Sequence, residues 1–150
     1  MSSTLLLLQF ASQNIALFCC ALFTGAATYV SLVEHPAMDE GGAKLAGAYL
    51  LTTHPRPVIV QASFGVVGSL AGIVAGLAGG GLWWSAGGIV LAGAMLFQLS
   101  VVMRVTRGLL DFDPRGDPEA ARRLFAKLAK LHAVLSLAGL TSLFMFITKA

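Results

Sequence analysis

The chain is predicted to be all-α, an integral membrane four-helix bundle of antiparallel up-down topology. Three observations point there: composition, the number of long apolar segments, and the gathering of basic residues in two of the connections. Hydrophobic residues make up 57% of the 150 and charged residues 11%, with a mean hydropathy of +0.81. A soluble domain is nearer 45–50% apolar and about 25% charged. Each span needs roughly 20 apolar residues, so the length suits a single membrane domain, 1–150, with four of them.

The first apolar segment runs from about Leu5 to Val33, with Gln9, Gln13 and Asn14 near its start. No Lys or Arg precedes it, and no clear small-residue cleavage site follows, so it is expected to remain as a span. Pro36 is expected to end it, because proline lacks an N–H and restricts the residue before it. The second segment covers about 58–79 and the third about 82–105, separated by a glycine turn short enough to make a tight antiparallel hairpin. The fourth covers about 131–147. "GDPEAARRLFAKLAKL" leads into it with Asp117 as N-cap, Pro118 at the first helical position and Glu119 at the positive helix end. A long extension of helix 4 before the membrane is therefore expected. The 38–53 stretch is compatible with a short interfacial helix, and 107–117 reads as a loop.

Nine of the ten basic residues fall in the 34–57 and 104–130 connections. By the positive-inside rule these connections are expected to be cytoplasmic and both termini outside. The sequence pI of about 9.2 then reflects topology and contact with anionic lipid. No nucleic-acid motif is present. Cys19 and Cys20 are adjacent within the first span, where a disulfide between them would be strained, and they read as small packing residues.

Gly68, Gly72, Gly76 and Gly80 recur every fourth residue in the second segment. The ordinary reading is close helix packing through small residues. A sharper one is room for a flat ligand such as a porphyrin or polycyclic aromatic.

The stretch "SLVEHPAM" raises the question of chemistry. Only three histidines occur: His35 at the end of span one, His54 before span two and His132 at the start of span four. Arg104 ends span three at the same level. At 3.6 residues per turn His35 shares a stripe with Ser31, Thr28 and Thr24, and His132 shares one with Ser136 and Gly139. His54, if its helix continues through the prolines, lies above Gln61, Gly65, Gly68 and Gly72. Polar or small stripes should face the bundle interior, so the three imidazoles are expected to approach one another. Each also has a plain alternative as an interfacial residue, and Glu34 and Arg104 as solvated or snorkelling groups.

Convergence would allow a metal site at His35, His54 and His132, with copper, zinc or iron suited to imidazole. Two of the histidines could instead be axial ligands of haem. Without a cofactor, His35 or Glu34 could act as a general base on an acidic carbon-bound proton, with Arg104 stabilising the enolate. The cofactor reading thus stays open between haem, copper and none.

"ALFTGAATYVSLVEHPA" and "RLFAKLAKLHAVLSLAGL" resemble the anthrone oxygenase-like family of small four-span membrane proteins. The resemblance implies oxidation of an anthrone-like aromatic substrate by dioxygen, many bacterial relatives having no assigned role. Carried over by position, it implies a site at Glu34, His35 and Pro36 in the first stretch and His132 in the last; the expected location is a bacterial inner membrane. In span number and boundary histidines the chain is also similar to small four-helix membrane haem proteins that oxidise protoporphyrinogen. The leading expectation is a membrane oxidoreductase or oxygenase taking a small hydrophobic substrate from the bilayer. The alternative is a non-catalytic subunit that binds a second copy or another membrane protein through the glycine face of helix 2.

Overall fold

In the computed structural model, which describes residues 2–42, 55–110 and 118–148, four long helices run antiparallel in sequence order. Helix α1 is Ser3–Gly42, α2 runs from Pro55 through Ala75 into a π turn, Gly76–Gly80, α3 spans Leu82–Leu109 and α4 Pro118–Ile147. Each is long and apolar enough to cross a bilayer. No strand occurs among the described residues.

Pro36 does not end the first helix, which continues to Gly42. The reason lies one turn earlier. Residues Val30–Glu34 form a π turn, and the His35 N–H reaches back to Val30 O. A π turn inserts one extra residue into the helix. The proline ring therefore meets a widened turn instead of a regular i→i−4 ladder, and Glu34 and His35 lie inside a helix. Gly42 closes it with φ +74°, a conformation that favours glycine.

At the other helix ends the sequence is followed more closely. Gly79 (φ 114°) and Gly81 (φ 89°) make the turn between α2 and α3. The α4 helix begins at Pro118 with Glu119 in its first turn, so it does extend well before its apolar part. Met103–Leu110 is helical, which shortens the expected 107–117 loop at its start. Residues 43–53 of the expected interfacial helix, the Asp117 cap and His54 lie outside the described residues.

The core runs along the bundle axis and includes Phe23, Trp84, Leu91, Leu128, Leu135 and Phe146, all fully buried. Large apolar side chains such as Leu7, Phe18, Ile59, Leu70, Leu96 and Phe144 point outward, as expected where lipid is the solvent. The glycine stripe of α2 is consumed internally. A Cβ on Gly72 would lie 2.6 Å from the Phe146 ring, one on Gly68 would lie 3.1 Å from Leu91, and one on Gly76 would collide with Ser85. The flat ring held against these glycines belongs to Phe146, stacked on Trp84 with centroids 5.0 Å apart. No room is left there for a flat ligand, and the stripe faces the chain's own helices. Cys19 and Cys20 are free and buried.

Candidate functional site

Two of the three histidines meet. His35 Nε2 and His132 Nδ1 lie 2.8 Å apart, with ring centroids at 4.8 Å and planes inclined by 42°. Both side chains are buried, at 7% and 1% exposure. One turn deeper the Ser31 and Ser136 hydroxyls also lie 2.8 Å apart, and the Ser136 Oγ is 3.1 Å from His132 O. The antiparallel register between α1 and α4 that brings 31 to 136 brings 35 to 132, four residues along each helix.

His35 and Ser31 form one wall of a cleft of about 510 Å³ between the end of α1 and the extension of α4. Met38 and Phe125 give it an apolar lining, Arg122 and Lys130 bring positive charge, and Asp39 brings one negative charge. The volume falls within the roughly 300–1,000 Å³ of small-molecule sites. Arg122 is also 3.9 Å from Asp39, both largely exposed, a pairing that contributes little to stability.

Arg104 does not join this arrangement. It is exposed on α3: the buried face of that helix runs through Leu91, Met95, Gln98, Val102 and Thr106 at ordinary helical spacing, which carries Gln98 into the bundle and leaves Arg104 on the opposite side. Gln98 is 1% exposed and Gln61 on α2 is 4% exposed. Helix register places both near the histidine layer. Gly65 of α2 faces Met95 of α3, and Gln61 and Gln98 each lie about one turn further toward the basic end. Ser142 of α4 bonds Gly87 O of α3 at 2.7 Å, and about three turns from that contact along each helix stand His132 and Gln98. Each of the four helices thus contributes a buried polar residue to this half of the bundle: His35, Gln61, Gln98 and His132, with Gln61 about two turns deeper than His35 by the register of the Gly68–Cys20 contact.

The layer is imperfectly satisfied. Gln61 Nε2, both amide head atoms of Gln98, and Glu34 Oε2 are buried without a hydrogen-bond partner among the described residues. Glu34 is half-buried and sits beside His35. Two π turns, a feature frequent at functional sites, adjoin this layer on α1 and α3.

As a metal centre the site is thin. No cluster of three or more His, Cys, Asp or Glu side chains suited to a metal occurs among the described residues. Axial nitrogens on opposite faces of a haem iron stand roughly 4 Å apart, twice a metal–nitrogen bond of about 2 Å, so the 2.8 Å pair does not have that arrangement. In chemical terms it is a hydrogen-bonded imidazole dyad: one ring donates, the other accepts, and the pair can take up one further proton.

Sequence reasoning passed over Gln98, Arg122 and Lys130. Gln98 carried a readable signal, since an amide is the only non-hydroxyl polar side chain between Leu82 and Met103 and is expensive to place in a membrane. Searches for similar proteins return no matching family model, no matching curated protein and no matching solved structure.

Proposed function

We propose that this protein is a membrane oxidoreductase that oxidises a small hydrophobic aromatic substrate with dioxygen, using the His35–His132 dyad as general base. The observation carrying this reading is the 2.8 Å bond between two buried imidazoles, one of which, His35, lines a cleft walled by Met38 and Phe125 and rimmed by Arg122, Lys130 and Asp39. The resemblance of "ALFTGAATYVSLVEHPA" and "RLFAKLAKLHAVLSLAGL" to the anthrone oxygenase-like family implies the same chemistry.

The dyad removes a proton from a ring methylene made acidic by a neighbouring carbonyl. Because the two rings share a proton, the charge it acquires is spread over both. Arg122 and Lys130, and not Arg104, provide the positive field for the enolate. The electron-rich carbon then reduces dioxygen. A C–O bond forms and the dyad returns its proton to the outer oxygen to give a hydroperoxide. Loss of the second C–H proton then breaks the O–O bond, leaving C=O and releasing hydroxide that takes up that proton, so overall CH2 plus O2 gives C=O plus H2O. The cleft lies at the end of the bundle that carries Arg122, Arg123, Lys127 and Lys130. The positive-inside rule makes this the cytoplasmic end.

Purified protein supplied with anthrone and air tests this reading. Oxygen uptake matched by anthraquinone formation is expected, falling at least about 100-fold in His35→Ala and His132→Ala, as for loss of a general base. Equal rates in wild type and both variants would overturn it.

A further inference from the structure

The amide heads of Gln61 and Gln98 are anomalous for a bundle in lipid. A buried polar atom left without a partner costs about 1–3 kcal/mol, and here one amide nitrogen of Gln61 and both head atoms of Gln98 are left so among the described residues. By the register of the Gly65–Met95 contact they stand at one level on neighbouring helices α2 and α3, and helix register puts His132 at about the same level. A purely structural layer would have closed on itself or been apolar.

We infer that Gln61 and Gln98 form an interior seat for the oxygen of a neutral, lipophilic ring compound bearing a carbonyl or hydroxyl. The chemistry of the orphaned atoms sets the class. Two amide N–H groups donate to a carbonyl, and the Gln98 Oε1 accepts from a hydroxyl. Neither side chain carries charge, so the seat favours a neutral oxygen over a carboxylate or phosphate. The residue pair one turn deeper is closely packed, so a ligand would have to displace a side chain there. There the Met95 thioether lies against Gly65, and an unbranched methionine can swing aside beside a residue that has no side chain. The seat rests on the proposed oxidase reading only for the lipophilic ring it receives. It would hold the polar edge of that ring in the bundle while the cleft-side edge meets His35.

Equilibrium dialysis in a single detergent with fluorene, 9-fluorenone and 9-fluorenol tests this, each ligand corrected for micelle partition measured without protein. The three share one ring system and differ only at the oxygen. Wild type should prefer the ketone and the alcohol to fluorene roughly tenfold. The preference should fall to near parity in Gln98→Met and Gln61→Met, while fluorene binding is retained. Both variants should melt at or above the wild-type temperature, since an apolar near-isostere relieves the orphaned amides. Equal wild-type binding of all three ligands would overturn the seat and leave the amides to water. A preference that survives Gln98→Met would overturn it equally. Should Gln98→Met fail to fold, the wild-type ratio and Gln61→Met decide. Unchanged oxygen uptake in His35→Ala with an intact ketone preference would sink the oxidase and keep the seat. Loss of uptake in His35→Ala without any ketone preference would do the reverse.

Discussion

His35 and His132 show why identity of residue type matters less than which atoms meet. A Nε2–Nδ1 bond of 2.8 Å needs one ring to donate and the other to accept, so it exists only while the pair carries fewer than its full complement of protons. Acidification that protonates both rings places two donors against each other and two positive charges in one buried site. Turnover is therefore expected to fall as acidification protonates both rings and to recover as pH rises, as a base requires. A rate against pH curve with no acidic limb would argue that another group takes the proton. Substitution separates the roles further. His132→Gln keeps a hydrogen-bonding head but cannot take up a proton, so it should retain fold and ligand binding while losing turnover by at least about 100-fold. The histidine pairing was legible in the sequence, because Ser31 with His35 and Ser136 with His132 mark two polar stripes on helices otherwise apolar. The place of Arg104 was not legible from its level at the end of span three alone; its face follows from the stripe of Leu91, Met95, Gln98 and Val102, which it does not share.

At the scale of helices, α2 illustrates how small residues determine what can pack. Gly72 and Gly88 back onto each other closely enough that a Cβ on Gly72 would be 3.1 Å from Gly88 Cα and one on Gly88 would be 2.7 Å from Ser69 O. These contacts are backbone on backbone and cannot yield as a flexible side chain would. Gly72→Leu should therefore lower stability by at least about 1–3 kcal/mol, the usual cost of overpacking, with partial loss of the folded bundle in detergent. Gly93 is the matched control. Nothing lies within 4 Å of its Cβ position, so Gly93→Ala should be neutral or stabilising by up to about 1 kcal/mol through helix propensity. Thermal unfolding of the two variants beside wild type measures both, and similar melting of Gly72→Leu and wild type would refute the close approach. The four-residue spacing announced that some surface would pack here. It gave no means of knowing that Phe146, distant in sequence, would fill the groove, since a spacing within one helix says nothing about its neighbour.

The whole molecule is organised by an asymmetry along its axis. Its exposed girdle is apolar, with Leu77, Leu82, Trp83 and Ile147 outward at one end, while Arg104, Arg107, Arg122, Arg123, Lys127 and Lys130 gather at the other. Four spans return the chain to the side from which it started, so the start of α1 and the end of α4 lie at the end away from the basic cluster. The polar layer lies inside the basic end, where a substrate dissolved in the bilayer would meet positive charge and proton exchange with water within one short distance. Retention of Lys and Arg on the cytoplasmic side is the general bias in membrane insertion, and it fixes an outcome for labelling. In sealed inverted vesicles, with cytoplasmic groups facing the medium, Arg123→Cys should react with an impermeant maleimide at once, and Ser2→Cys only after the membrane is opened by detergent. Cys19 and Cys20, buried within the first span, should stay silent until the protein is denatured and thus serve as internal controls. Reaction of Ser2→Cys alone would invert the bundle and place the dyad outside. Reaction of both in sealed vesicles would mean an even number of crossings between them, against the three that α1, α2 and α3 make.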